Sequence, residues 1–186
     1  TGRPGRLFIA ETGAARVIRA TYPAAEGVAR VEAVYGSGER GFADGPAATA
    51  RFHSSRGMAF DAEAGRLYVA DAGNHAIREV DIDTGDVATV AGTGVLGDEL
   101  TGGRVGSAQA LQWPLDVAID RKLARLYVAM GGSNQIWQIE LKSRIASRLA
   151  GDGVEGVVDG PAAKARLAQP SGVAMGSDAR YLYITD

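Results

Sequence analysis

The chain has 186 residues, room for one ordinary domain, and its 46% apolar and 23% charged residues are those of a folded globular protein. Lys and Arg total 20 against 22 Asp and Glu; a net charge of -2 excludes nucleic-acid binding by bulk charge and leaves only a local patch open. There is no Cys, so a disulfide scaffold, a thiolate-held zinc or iron–sulfur centre and a thiol nucleophile are excluded within these residues. Gly, at 26 of 186, is about twice the usual share and is spread along the chain, which points to many tight turns between short strands. No apolar run approaches the ~20 residues of a membrane-spanning helix, so no membrane span is expected. The chain does not open on Met or on a signal-peptide pattern, and it ends on the strand-like Tyr181–Asp186. It reads as a piece of something longer.

In chain order, the first predicted strand is Leu7-Phe8-Ile9-Ala10. It returns as Leu67-Tyr68-Val69-Ala70, Leu126-Tyr127-Val128-Ala129 and Leu182-Tyr183-Ile184-Thr185, an internal period of about 60 residues. Two more features keep the beat. One is Gly57-Met58-Ala59-Phe60-Asp61, Asp116-Val117-Ala118-Ile119-Asp120 and Gly172-Val173-Ala174-Met175. The other is Val34-Tyr35-Gly36-Ser37-Gly38, Val90-Ala91-Gly92-Thr93-Gly94 and Leu149-Ala150-Gly151-Asp152-Gly153. Each repeat reads as four short strands, placed in the second repeat at Gly57–Asp61, Arg66–Asp71, Ala76–Ile82 and Asp86–Ala91. They are rich in Val, Ile and Tyr and bounded by Gly, Asp and Asn. No helix of ten or more residues is predicted. Four antiparallel strands at this period are the pattern of a β-propeller blade. The expected fold class is therefore all-β, with four antiparallel strands per blade. Residues 1–56 should hold the last three strands of one blade and a linker, 57–114 a second blade, 115–171 a third, and 172–186 the first two strands of a fourth.

The run Tyr68-Val69-Ala70-Asp71-Ala72-Gly73-Asn74-His75-Ala76-Ile77-Arg78 resembles the core of an NHL repeat, with Ala76 in the place of the Leu for which the family is partly named. The turns Asp44-Gly45-Pro46 and Asp159-Gly160-Pro161, and the Pro-x-x-Val steps at Pro114 and Pro170, fit the same family. His75-Ala76-Ile77-Arg78-Glu79, the Gly102-Gly103-Arg104 insertion, Trp113 to Val117 and Gln135-Ile136-Trp137 are similar to one subfamily. In it a thioredoxin-like domain precedes a six-bladed NHL propeller. The resemblance implies about half of such a ring here, with any redox or haloacid-dehalogenase-like chemistry in domains outside this chain. It implies the chloroplast thylakoid lumen for a plant or algal form and the cytoplasm for an animal form. Only the second repeat carries the whole motif. The Asp place holds Glu11, Asp71, Met130 and Asp186, and the Asn-His place holds Ala14-Ala15, Asn74-His75 and Ser133-Asn134. Such degeneracy suits turn and strand-locking roles for Asp71, Asn74 and His75, with a cost of about 1 kcal/mol or more for losing Asp71.

Several of the same residues also match the outlines of catalytic or binding motifs. G-x-G-x-x-G occurs at Gly36–Gly41, Gly92–Gly97 and Gly151–Gly156, but no helix pattern follows to face a phosphate, so the glycines are read as turn residues. His53 is assigned to an ordinary loop. A channel metal of the lyase or lactonase type would call on Asp61 and Asp120, yet the third matching position is Gly176. Ser54 and Ser55 beside His53 lack a nucleophile elbow. Trp113 and Trp137 are assigned to packing between blades rather than to a partner. Alternating strand direction places the linkers Gly92–Trp113 and Gly151–Pro170 on one face with the Asp71–Ala76 turn. There Arg16, Arg40, Arg51, Arg56, Arg104, Lys164 and Arg166 mix with Glu11, Glu39, Asp44, Asp71, Asp98, Glu99, Asp152, Glu155 and Asp159, and no phosphate-tracking groove results. The expectation is a non-catalytic interaction scaffold without a cofactor. Its partner is a protein or the rest of its own chain, met through a face marked by Arg104, Asp98, Glu99 and Asp159. A metal-dependent propeller enzyme and an RNA-binding propeller are the alternatives.

Overall fold

The structure is a computed structural model that describes residues 5–22 and 27–186. Four antiparallel sheets follow one another along the chain. The first holds β1 (Gly5–Glu11), β2 (Arg16–Tyr22) and β3 (Arg30–Tyr35). The second holds β4 (Ser55–Asp61), β5 (Arg66–Asp71), β6 (Ala76–Asp81) and β7 (Val87–Ala91) in sequence order. The third has β9 (Pro114–Asp120), β10 (Arg125–Met130), β11 (Gln135–Glu140) and β12 (Ile145–Ala150), and a fifth strand, β8 (Gly102–Val105), on its outer edge. The fourth pairs β13 (Gly172–Met175) with β14 (Leu182–Thr185). The helical turns among the described residues are 3-10 turns of three residues each, at Thr12–Ala14, Ala72–Asn74 and Gly106–Ala108.

The second and third sheets are buried on both faces, and this explains the near-continuous apolar strands. In β5, Leu67 and Val69 join Val17, Tyr35 and Phe52 in the layer between the first and second sheets. Their alternates Tyr68 and Ala70 join Val117, Val128, Met130 and Trp137 in the layer between the second and third. Ala118, Ala129, Ile136 and Val173 form the next layer. The period of two along a strand thus supplies two cores at once. Burying a Leu or Val in such a layer is worth about 1.5–3 kcal/mol relative to exposure.

The inner strands β4, β9 and β13 run side by side from sheet to sheet. Between β4 and β9 the fit is tight: a Cβ on Gly57 would lie 1.8 Å from Asp116 Oδ1. Asp116 bridges onward, its Oδ2 accepting the Val173 N–H at 2.9 Å.

The third sheet departs from four strands. The linker after β12's counterpart β7 leaves the loop face, runs down the outer edge as β8, and reaches the opposite end, where the Gly106 N–H meets the Arg144 carbonyl at 2.8 Å. β8 pairs antiparallel with β12, Arg104 opposite Ala146.

Candidate functional site

In three successive sheets the connection after β1, β5 and β10 is the same 3-10-like turn closed by a residue in the left-handed region: Ala15 (φ 51°), His75 (φ 49°) and Asn134 (φ 53°). Strand register makes Glu11, Asp71 and Met130 equivalent at the turn, opposite Arg16, Ala76 and Gln135. The turn of the second sheet carries a buried ionic brace. Asp71 and Arg78 are both 0% exposed. Asp71 Oδ1 accepts the His53 N–H at 2.7 Å, and Oδ2 accepts from Asn74 Nδ2 at 2.8 Å and Arg78 Nη1 at 3.0 Å. Asn74 Nδ2 also donates to the Gly41 carbonyl at 2.7 Å. The Arg78 guanidinium reaches the Arg51 and Ala43 carbonyls at 3.0 and 2.8 Å and Asp44 Oδ1 at 2.6 Å. It lies over the rings of Phe42 and Phe52, whose centroids are 5.0 and 5.2 Å away. Burial pushes the Asp71 carboxyl above its usual range, while Asn74, His53 and Arg78 pull it back. Every group facing it is an N–H donor, so it is held as the carboxylate.

The brace therefore ties the linker before the second sheet to the turn inside it. Apart from the buried Arg78 Nε, which has no hydrogen-bond partner among the described residues, its polar groups are directed at backbone amides and carbonyls and at one another. In the third sheet both members of the ion pair are exchanged together: Met130 stands for Asp71 and Trp137 for Arg78, each buried in the core. Trp137 Nε1 donates to Gln135 Oε1 at 2.9 Å, and Gln135 Nε2 binds the Leu100 and Gly151 carbonyls at 3.0 and 3.2 Å. Replacing a buried ion pair whole by apolar groups is close to neutral, whereas removing one partner is costly. In the fourth sheet Asp186 accepts the Ala168 N–H at 2.7 Å, as Asp71 accepts that of His53.

His75 joins sheets. Its Nδ1 accepts the Trp113 N–H at 3.2 Å, and the two rings meet edge to face at 5.1 Å. Trp137 belongs to the buried layer between the second and third sheets, whereas Trp113 is half-exposed over this turn. His53 lies in the linker with its carbonyl accepting the Gly73 N–H at 2.8 Å.

The residues marked for an interaction face divide. Asp98 and Asp159 are exposed in linkers. Arg104 is not in a loop but on the edge strand β8, 3.3 Å from Glu99, with both held around buried Gln109: Gln109 Nε2 donates to Glu99 Oε2 at 2.9 Å and Gln109 Oε1 accepts the Arg104 N–H at 3.1 Å. Arg51 pairs with Glu39 at 2.6 Å and Arg166 with Asp152 at 2.9 Å, so these cations of the face are matched locally. The glycine loops lead into linkers rather than helices. At Gly92 (φ 117°) a Cβ would come within 2.5 Å of Ala76 Cα, so the glycine serves a close backbone crossing. Asp61 and Asp120 cap their own hairpins, accepting the N–H groups of Glu63 and Leu123 at 3.1 Å each. Among the described residues no three His, Asp or Glu side chains converge as metal ligands would.

Antiparallel sheets packed face to face in chain order, the first three carrying the same turn, define an arc of a β-propeller. An auxiliary nutrient binding protein from Bacteroides thetaiotaomicron superposes with a TM-score of 0.69 over 97% of this chain and 42% of its own, at 16% identity, a likeness of fold alone. No family model matches the chain. It is 40% identical to the chloroplastic protein suppressor of quenching 1 of Arabidopsis thaliana over 81% of its length, and 32% identical to NHL repeat-containing protein 2 of Bos taurus over 97%. The chain is a homologue of these NHL-repeat proteins, and it spans 14% and 27% of their respective lengths.

Proposed function

We propose that this segment is a non-catalytic interaction platform, part of a larger propeller that presents linker loops to a protein partner or to another domain of its own chain. One observation carries the reading. The ionic cluster of the second sheet, buried Asp71, Asn74 and Arg78 with half-exposed Asp44, is directed at backbone groups, and the third sheet does the same job with Met130, Trp137 and Gln135. A site for chemistry keeps its charged groups aimed at a reacting centre; here they are consumed in joining linkers to sheets. The resemblance to proteins with a thioredoxin-like domain makes such a domain the first candidate partner. The chloroplastic relative supports a chloroplast location for a plant-type form, with the thylakoid lumen as its finer version.

The test is photo-crosslinking in the full-length protein. Probes at Asp98 and Asp159, on the exposed linkers, are expected to capture a defined protein or domain, while probes at Lys122 and Lys142, on hairpins at the opposite end, capture little. Equal capture from both ends, or a tightly held divalent ion whose loss abolishes a hydrolytic or lyase activity mapped to this segment, would overturn the platform reading.

A further inference from the structure

One residue before the inner strands β4 and β9, and three residues before β13, the backbone is held in a conformation that L-amino acids avoid. Trp113 has φ 48° and Gln169 φ 62°, both followed by proline, and Ser54 has φ 55°. Left-handed backbone is rare for a residue as bulky as Trp and persists only where neighbours enforce it. Two of these residues are clamped by the left-handed turn residue of the preceding sheet. Asn134 Oδ1 accepts the Gln169 N–H at 3.0 Å, and His75 Nδ1 accepts the Trp113 N–H at 3.2 Å. Asn and His thus do the same mechanical work at equivalent places. They differ in chemistry: a carboxamide oxygen accepts at every pH, whereas imidazole Nδ1 accepts only when it carries no proton.

We propose that His75 is a proton-operated latch between the second and third sheets, closed on Trp113 when the imidazole is neutral and opened by protonation. In the closed state the proton of the neutral ring sits on Nε2, and Nδ1 receives the Trp113 N–H. An added proton on Nδ1 sets two N–H groups against each other, so the bond is lost and the strained backbone at Trp113 is free to relax. The linker Gly92–Trp113, which includes β8, is anchored at this point to the turn of the second sheet. Opening therefore loosens the same linker that carries Asp98, Glu99 and Arg104. The charged and titratable surroundings favour the neutral ring. His53, from the linker before β4, is the titratable group that acts on it through space; Asp71, on its own turn, is committed to Arg78. Burial first, and His53 second, hold the His75 pKa below its ordinary 6.5.

Hydrogen exchange of the full-length protein, followed peptide by peptide and corrected for the pH dependence of intrinsic exchange, tests this. The peptide across Trp113 is expected to lose protection by about fivefold or more as pH falls from 7.5 to 5, the scale of one net hydrogen bond. The peptide across Gln169, clamped by Asn134, serves as the internal control and stays flat. His75→Asn, which installs the acceptor already used at Asn134, is expected to keep protection at pH 7.5 and abolish the loss at pH 5. His53→Gln retains the transition. A transition that survives in H75N, or one that appears equally at Gln169, or none in the natural protein, would overturn the latch.

Discussion

Removing Asp71 alone strands more than a turn. In Asp71→Ala the His53 N–H loses its acceptor, and the fully buried Arg78 guanidinium loses the buried one of its two carboxylates, keeping only the half-exposed Asp44. Breaking a buried ion pair from one side costs about 3–5 kcal/mol. The lower end applies, because Asp44 at 2.6 Å and two backbone carbonyls stay with the guanidinium, and Asn74 keeps the Gly41 carbonyl. The expected cost is therefore about 3 kcal/mol, well above the cost of losing a turn bond alone. It should appear as roughly a hundredfold faster exchange, since 1.4 kcal/mol is tenfold, in native-state hydrogen exchange of β5 and β6 within the full-length protein. The third sheet supplies the rescue. The triple change D71M/A76Q/R78W transplants Met130, Gln135 and Trp137 onto the equivalent positions and removes the stranded charge. Most of the lost protection should return. Exchange in D71A within threefold of the natural protein, or a triple variant no better protected than D71A, would refute the view that the two sheets use interchangeable braces.

Three further outcomes are expected. Gly57→Ala puts a methyl 1.8 Å from Asp116 Oδ1 and 2.7 Å from its Cα, so β4 and β9 must part, at a cost of about 1–3 kcal/mol; an unchanged melting temperature of the full-length protein would show that the strands are not so closely set. Asp159 and Asp186 repeat the spacing and backbone setting of Asp44 and Asp71, with Arg166 and Val158 bridged as Arg51 and Ala43 are. Where the natural protein continues, the residue seven beyond Asp186 should be arginine, and sequencing that finds an aromatic there, as Trp137 follows Met130, contradicts it. Residues 1–186 expressed alone should self-associate, because Leu7 and Ile9 on β1 and Tyr183 on β14 are about two-fifths or more exposed on sheets that elsewhere bury both faces; sedimentation showing a soluble monomer with a cooperative melt would be the contrary result.

Local chemistry made much of this molecule readable from its letters. Strands β5, β6 and β7 begin and end within a residue of the positions expected for them, since a run of Val, Ile and Tyr closed by Gly, Asp or Asn is decided by neighbours in sequence. The repeat made the succession of sheets legible for the same reason, and it marked Asp71, Asn74 and His75 as a turn. The rest depends on residues far apart in the chain. β8 carries two glycines, Gly102 and Gly103, in four residues and gives no strand signal of its own; it exists because β12, some forty residues later, offers an unpaired edge. That Arg78 is the partner of Asp71, and that Asp44, Phe42 and Phe52 enclose it, follows only when the preceding linker folds onto the sheet. The joint exchange of Asp71 and Arg78 for Met130 and Trp137 is visible as two separate departures in sequence. Only their packing in one buried site makes them a single event, because a buried charge is tolerated with its partner or not at all.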